Sequence, residues 1–344
     1  MLLDDPSPLV RQAMADVFAG SAHAPATIVR ALSLDQSSVA LPILEHSPLL
    51  IDADLVDLVA TGNSETQCAI ARRVNLPASV CAAIAEVGSP AAALELIENP
   101  HAVLAPFSWD RIVERHGHLA AIRESMLGLD DLPPATRLAL IAKLSDTLAH
   151  FVVARRWLSS DRAERIVVEA RERSAINLAT RSRGAETGQL VSHLRATGQL
   201  TAGLILRALL SGNLELFDRA LIELSGLPSQ RVAALLYDRG GASLDALLTR
   251  AGLPSSTFPA FRAALDATNE IGFVGTVDGA ARLRRRMVER VLTRCEADPD
   301  VSEPLLILLR RFATESAREE ARVFCDQLVA DVIDIAPEHQ RIAA

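Results

Sequence analysis

The side chains closest to a chemical constellation are His116 and His118, two apart around Gly117, with Asp110 and Glu114 just upstream. A zinc-type site would need three or four such donors converging on one point. Gly117 falls where a helix is expected to end, however, and a helix-terminal loop accounts for the pair without a metal. The carboxylates Asp52, Asp54, Asp57, Asp130 and Asp131 could serve as acid and base. They fall at expected helix starts, where a negative charge complements the helix dipole, and capping is the preferred reading. No serine is framed as G-x-S-x-G and no phosphate-cradling glycine loop is present; Gly272, Gly275 and Gly279 have the wrong spacing and no preceding strand. Cys68, Cys81, Cys295 and Cys325 lack metal-ligand spacing and read as reduced, buried thiols. No catalytic residue, metal ligand or cofactor is assigned.

The charged pattern is more informative. Arg282, Arg286 and Arg290 recur at i, i+4 and i+8 and form one ridge of a helix, flanked by Arg284, Arg285 and Arg294. Such a ridge suits an acidic protein surface or phosphates, but the preferred reading is a solvated face paired with acids such as Glu289 and Glu296. A second group, Arg155, Arg156, Arg162 and Arg165, is read in the same two ways. Nucleic acid is the less favoured partner, because aromatics to stack bases are missing near the ridge and the net charge is −8. Residues 1–150 carry 18 acidic and 9 basic side chains, which opposes wrapping a phosphate backbone with that half. Trp109 and Trp157, each flanked by apolar residues, read as core.

These residues must be positioned by helices. Apolar residues make up 49% of the 344, aromatics only 3%, and Ala and Leu dominate, so an all-α fold is expected. The first 146 residues divide into units of roughly thirty, opening at Ser7, Ser37, Ser64, Ser89 and His118. The plan is a Ser or Asp-Pro opening, a short helix, a Pro-bearing reversal and a second helix, the fifth unit being a degenerate copy. Helices this short need neighbours to be stable, so the expectation is a HEAT-like α-solenoid of helix pairs over residues 1–150. A compact helical bundle follows over 151–335, with a frayed tail at 336–344. An apolar stripe from Val301 to Val332 makes a homodimer conceivable. No stretch reaches the ~20 apolar residues of a membrane span, and MLLDDPSP lacks the basic start of a signal peptide, so a cytoplasmic location is expected.

The organising stretch runs from Gln199 to Leu265, with short helices between turns at Gly212-Asn213, Gly226-Leu227-Pro228, Gly240-Gly241 and Gly252-Leu253-Pro254. The segments LTAGLILRALLSGNLELFDRALIELSGLP (200–228), RVAALLYDRGGASLDALLTRAGLP (231–254) and FPAFRAAL (258–265) resemble a bacterial, mostly alphaproteobacterial family known as domain of unknown function 2336. DPSPLVRQAMADVFAGSAHAPATIV at the front extends the resemblance, which covers residues 5–335. It implies HEAT-like pairs at the N-terminus and carries no catalytic residue to this chain. Within the signature Leu206, Leu210 and Phe217 read as core, and Arg207 and Arg239 are the charged positions to test. Arg207, inside an apolar helix, either bonds a neighbouring helix's carbonyls, the favoured option, or faces a partner. The reading is a non-enzymatic scaffold or adaptor for a protein partner, with Arg282, Arg285, Arg286, Arg290, Arg207 and Arg239 as contact residues. The alternative is a HEAT-like nucleic-acid-binding or DNA-repair protein.

Overall fold

The computed structural model describes residues 3, 5–236, 242–271 and 277–335. Among them every regular element is helical, so the fold is all-α. The chain divides into two units, Met1–Arg171 and Glu172–Ala344.

In the first unit five helix pairs follow one another. They are α1 (Pro8–Ala19) with α2 (Ala26–Ser33), α3 (Ser37–His46) with α4 (Asp52–Thr61), and α5 (Ser64–Ala71) with α6 (Ala78–Val87). Then come α7 (Pro90–Glu98) with α8 (Pro106–His116), and α9 (Ala120–Leu127) with α10 (Pro134–Ala154). Proline opens α1, α7, α8 and α10, where its missing N–H would have no helical partner anyway. Side-chain caps act at α5, where Asn63 Oδ1 accepts from the Thr66 N–H at 2.9 Å, and again at α7, where Ser89 Oγ accepts from the Ala92 N–H at 3.3 Å. Helices of eight to twelve residues cannot stand alone, and from α3 on they pack in two rows of second neighbours, while α2 packs on α1 and α3. Contacts run α1–α3–α5–α7–α9 in one row and α4–α6–α8–α10 in the other. The apolar core between the rows includes Val29, Ile43, Leu55, Ile70, Ile84, Leu96, Ile112 and Met126.

Polar side chains fix the spacing of the rows. Arg73, just past α5, donates to the carbonyls of Leu44 and Ser47 at the end of α3, the latter at 2.6 Å. Asn99, past α7, donates to the Ala71 and Arg73 carbonyls at 2.7 and 2.8 Å. Arg115, near the end of α8, reaches the Ala85 and Gly88 carbonyls of α6, both at 2.9 Å. Arg123 does the same for the end of α8, and Arg137 for the end of α9. The last carbonyls of a helix have no partner within it, and a cation placed there also meets the negative end of the dipole. Ion pairs add a second set of ties: Arg11–Asp35 at 2.6 Å, Arg30–Asp54 at 3.2 Å and Arg111–Glu86 at 2.7 Å.

Helix α10 runs unbroken from Pro134 to Ala154. Helix α11 (Ser160–Arg181) turns back along it, and Arg171 pairs with Asp146. This hairpin ties residues 151–171 to the first unit, and the division between the units falls inside α11.

The second unit contains the rest of α11 and the helices α12 (Ala185–Ala196), α13 (Ala202–Leu210), α14 (Leu214–Ser225), α15 (Ser229–Leu236), α16 (Ala242–Arg250) and α17 (Phe258–Ile271). It ends with two longer helices, α18 (Val277–Glu296) and α19 (Glu303–Ile335). Thr201 and Asn213 cap α13 and α14 by accepting from the Leu204 and Leu216 N–H groups, both at 3.1 Å. Gly226 ends α14 at φ 66°, a left-handed conformation that a Cβ would strain. Leu206, Leu210, Phe217, Phe258 and Phe261 are all buried, and the Phe217 and Phe261 rings stack 6.2 Å apart. Residues 301–335, for which the sequence left one or two helices open, hold the single helix α19. The Gly240-Gly241 turn lies outside the described residues. No helix among the described residues is long and apolar enough to cross a membrane.

The carbonyl clamps carry a stability prediction. Replacing Arg73 or Arg115 with Met removes charge-assisted hydrogen bonds to buried helix ends, and each substitution is expected to cost about 1.5–3 kcal/mol in urea unfolding. Replacing exposed Lys143 with Met serves as the neutral control.

Candidate functional site

Arg207 sits in the middle of α13, whose residues Leu204 to Leu210 are all buried. The helix is apolar because it packs on several neighbours, so a charge within it must find a partner. Arg207 finds two. Its Nε donates to Glu172 of α11 at 3.1 Å, and its Nη1 pairs with Glu315 of α19. The guanidinium lies over the Phe312 ring, 4.3 Å from the centroid. The side chains of Glu172, Arg207 and Glu315 are only 15%, 10% and 11% exposed, so this is a buried acid–base–acid triad. The carbonyl bonding favoured from sequence is corrected: carboxylates, not backbone oxygens, hold Arg207.

A cavity of about 60 Å³ opens beside the triad, lined among others by Arg173, Arg207, Arg284, Phe312, Glu315 and Glu319. Arg173 reaches Glu315 at 3.5 Å, and Arg284 reaches Glu319 at 3.9 Å. Guanidiniums and carboxylates thus both line it. Burial pushes the Glu172 carboxyl above its ordinary range, outweighing the downward pull of Arg207.

The predicted ridge on α18 is largely engaged with neighbouring acids. Arg282 and Arg285 reach Glu320 of α19 at 3.4 and 2.9 Å, and Arg285 also pairs with Glu289 at 2.7 Å. Arg290 reaches Glu270 of α17 at 2.6 Å, joined there by Arg294. Arg294 and Arg290 lower the Glu270 pKa, and Arg285 and Arg282 lower that of Glu320. Arg286 is exposed and makes no ion pair among the described residues. Arg239 lies outside the described residues. The ridge and Arg207 are therefore separate features: one joins α17, α18 and α19 at the surface, the other locks α11, α13 and α19 inside.

The histidine pair divides in the same way. His116 is buried, its Nε2 3.2 Å from the Gly88 carbonyl, and burial lowers its pKa, so the neutral ring donates to that carbonyl beside Arg115. His118 is exposed. Asp54 accepts from the Ile51 N–H at 3.4 Å and from Arg30, and Asp52 from Ser79 at 3.2 Å, so both work at the start of α4. Burial pushes the Cys81 and Cys295 thiols up to about 11, while Cys325 is exposed, unlike the buried position expected for it. Among the described residues no three His, Cys, Asp or Glu side chains converge as a metal-binding group. Trp157, expected in the core, is 66% exposed. Glu172 and Glu315 escaped sequence reasoning because each reads as one charge among many on a mixed helix. The only available cue was an arginine inside an apolar helix, which demands acids from elsewhere.

Residues 39–298 match the family described as "Uncharacterised protein conserved in bacteria (DUF2336)". The chain belongs to this family. No curated protein and no solved structure matches it. In this DUF2336 protein the matched stretch holds Glu172, Arg207 and the α18 ridge, whereas Phe312 and Glu315 lie beyond it. The triad therefore joins the family signature to α19.

Two outcomes test the triad. Arg207→Met leaves two buried carboxylates without their cation and is expected to cost about 3–5 kcal/mol in urea unfolding. The raised pKa of Glu172 means that its ionisation opposes folding as pH rises from the ordinary carboxylate value through the raised one. Relative to Glu172→Gln, the wild type should therefore lose stability as pH is raised from about 4 toward 7, as read from urea midpoints. A difference that grows in the opposite direction refutes the assignment.

Proposed function

We propose that this DUF2336 protein is a cytoplasmic protein-interaction scaffold or adaptor of a regulatory kind, with a HEAT-like solenoid as its first unit. One observation carries the reading. Each interior helix of the α1–α9 row is covered by a helix on either side, but the outer face of α1 is covered on neither end of its apolar stripe. Leu9 and Val17 are 75% and 73% exposed there, and with Val10, Ala13, Met14 and Phe18 they line a shallow apolar hollow. Met14 and Phe18 also pack on the core, while Val17 faces outward. A stack that ends in an apolar face is suited to receive one more helix, supplied by a partner protein.

Arg282, Arg285, Arg286 and Arg290 provide a second, weaker contact surface for an acidic protein. The ion pairs of Arg282, Arg285 and Arg290 with Glu270, Glu289 and Glu320 lie at the surface and are of a kind worth about 0–1 kcal/mol each, so a partner's carboxylates can compete for them. The same pairing reduces the motive for a nucleic-acid reading, since most of the ridge's charge is already answered.

The test is a crosslinking and pull-down survey with the wild type and the Leu9→Asp/Val17→Asp variant. A reproducible protein partner retained by the wild type and lost by the variant, at equal helical content, is expected. No reproducible partner, or one indifferent to the substitutions, contradicts the reading. Fluorescence anisotropy with duplex DNA at ~50 mM salt, where phosphate contacts are strongest, should show no binding.

A further inference from the structure

Most arginines of the first unit hold helices together. Arg11, Arg30, Arg72, Arg111 and Arg171 are ion-paired, and Arg73, Arg115, Arg123 and Arg137 clamp helix-end carbonyls. The remaining four, Arg155, Arg156, Arg162 and Arg165, are exposed and form no ion pair among the described residues. All four lie at the end of the α10–α11 hairpin, within about 10 Å of its turn at 1.5 Å of rise per helical residue.

Helix α10 leaves the core early. Its buried side chains are Thr136, Leu138 and Leu140, and none from Ile141 to Ala154 is buried. The turn therefore lies about 20 Å along the helix beyond the last buried residue of α10. Apolar groups surround this end. Trp157, in the turn, is 66% exposed and meets Phe151 edge to face, with centroids 5.6 Å apart. Phe151 and Leu148 of α10 and Ile166 of α11 are also about half exposed.

These groups sit on both helices and in the turn, so a partner helix laid along one face would cover only some of them. A fluid lipid surface met end-on receives them together. All lie within about 10 Å of the turn, the depth to which interfacial segments bury their apolar side. Trp suits that level, because its ring is apolar and its N–H polar, and arginines there meet lipid phosphates. Stacked nucleobases fit less well, since Arg155 already stands over the Phe151 ring at 5.2 Å.

Charge decides which lipid. Asp161 and Glu164 leave residues 155–165 at net +2, so an anionic surface attracts the end modestly and the apolar groups must add to it. The 18 acidic against 9 basic side chains of residues 1–150 oppose the approach. Salt screens charges beyond about 8–10 Å, however, and the packed helices begin about twice that distance from the turn.

We propose that the end of the α10–α11 hairpin docks on the surface of an anionic lipid bilayer. Trp157 and Phe151 settle at the headgroup boundary, and Arg155, Arg156, Arg162 and Arg165 face lipid phosphates. The contact is peripheral and requires no membrane-crossing helix. The inference goes beyond the scaffold reading and does not depend on it.

The experiment uses the full-length chain and unilamellar vesicles of phosphatidylcholine and phosphatidylglycerol in equal parts, read by co-sedimentation and tryptophan emission. Besides Trp157 the chain has only Trp109, which packs on the core, so a change in emission reports on the hairpin end. The wild type should bind these vesicles with emission moving to shorter wavelength. It should bind pure phosphatidylcholine far less and dissociate as salt is raised. Arg162→Gln/Arg165→Gln should weaken partitioning by about tenfold or more. Trp157→Phe should still bind, but without the change in emission. No binding to the anionic vesicles, or binding that the arginine pair does not influence, overturns the proposal. A soluble polyglutamate peptide that shifts the emission where vesicles do not overturns it in favour of an acidic protein at the same end.

Discussion

A helix of eight to twelve residues does not persist in water unless something covers its apolar face and satisfies its end groups. That constraint governs the first unit. The covering is supplied by stacking in two rows, α1 to α9 and α4 to α10, and end groups are satisfied by guanidiniums and one carboxamide from neighbouring helices. Ser47, Arg73 and Asn99 occupy successive rung ends, with 26 residues separating the partners in the Arg73–Ser47 and Asn99–Arg73 contacts. The clamp is thus part of the repeat itself, and it accounts for arginines whose charge would otherwise suggest binding.

The second unit meets the opposite problem. Its helix α13 is buried on all sides, and the one charge it carries is buried with it. The fold supplies carboxylates from two separated helices and an aromatic face from one of them. Such an arrangement specifies which helices must meet, because a misplaced α19 would leave Arg207 paired on one side only. Whether in a carbonyl clamp or a carboxylate triad, the guanidinium holds helices together by bonds that apolar contact alone does not supply.

Much of this was legible in the residues. The Pro and Ser starts at Ser7, Ser37, Ser64 and Ser89 marked the helix pairs, because those residues are suited to the first turn and little else. The glycines at 212, 226 and 252 marked turns, and each adopts positive φ. Leu206 and Phe217, read as core within the family-like segments, are buried. What was not legible depended on distance in sequence. The acids that hold Arg207 lie 35 and 108 residues away, and no spacing rule links them. Trp157 was misplaced because apolar neighbours in sequence do not reveal that a chain reversal at Arg155–Ser159 turns them outward. The Arg282–Arg290 ridge was correctly seen as a ridge; the acids of α17 and α19 opposite it were invisible until the helices were placed.

The account holds that arginines in this protein are of two kinds, those that bind helices together and those left free for a partner. Urea unfolding of single Arg→Gln variants tests this most directly, comparing Arg11, Arg115 and Arg207 with Arg155, Arg162 and Arg165 under conditions where the chain is monomeric. The account predicts clear destabilisation in the first three and changes within about 0.5 kcal/mol in the others. Equal losses in the two groups would contradict it.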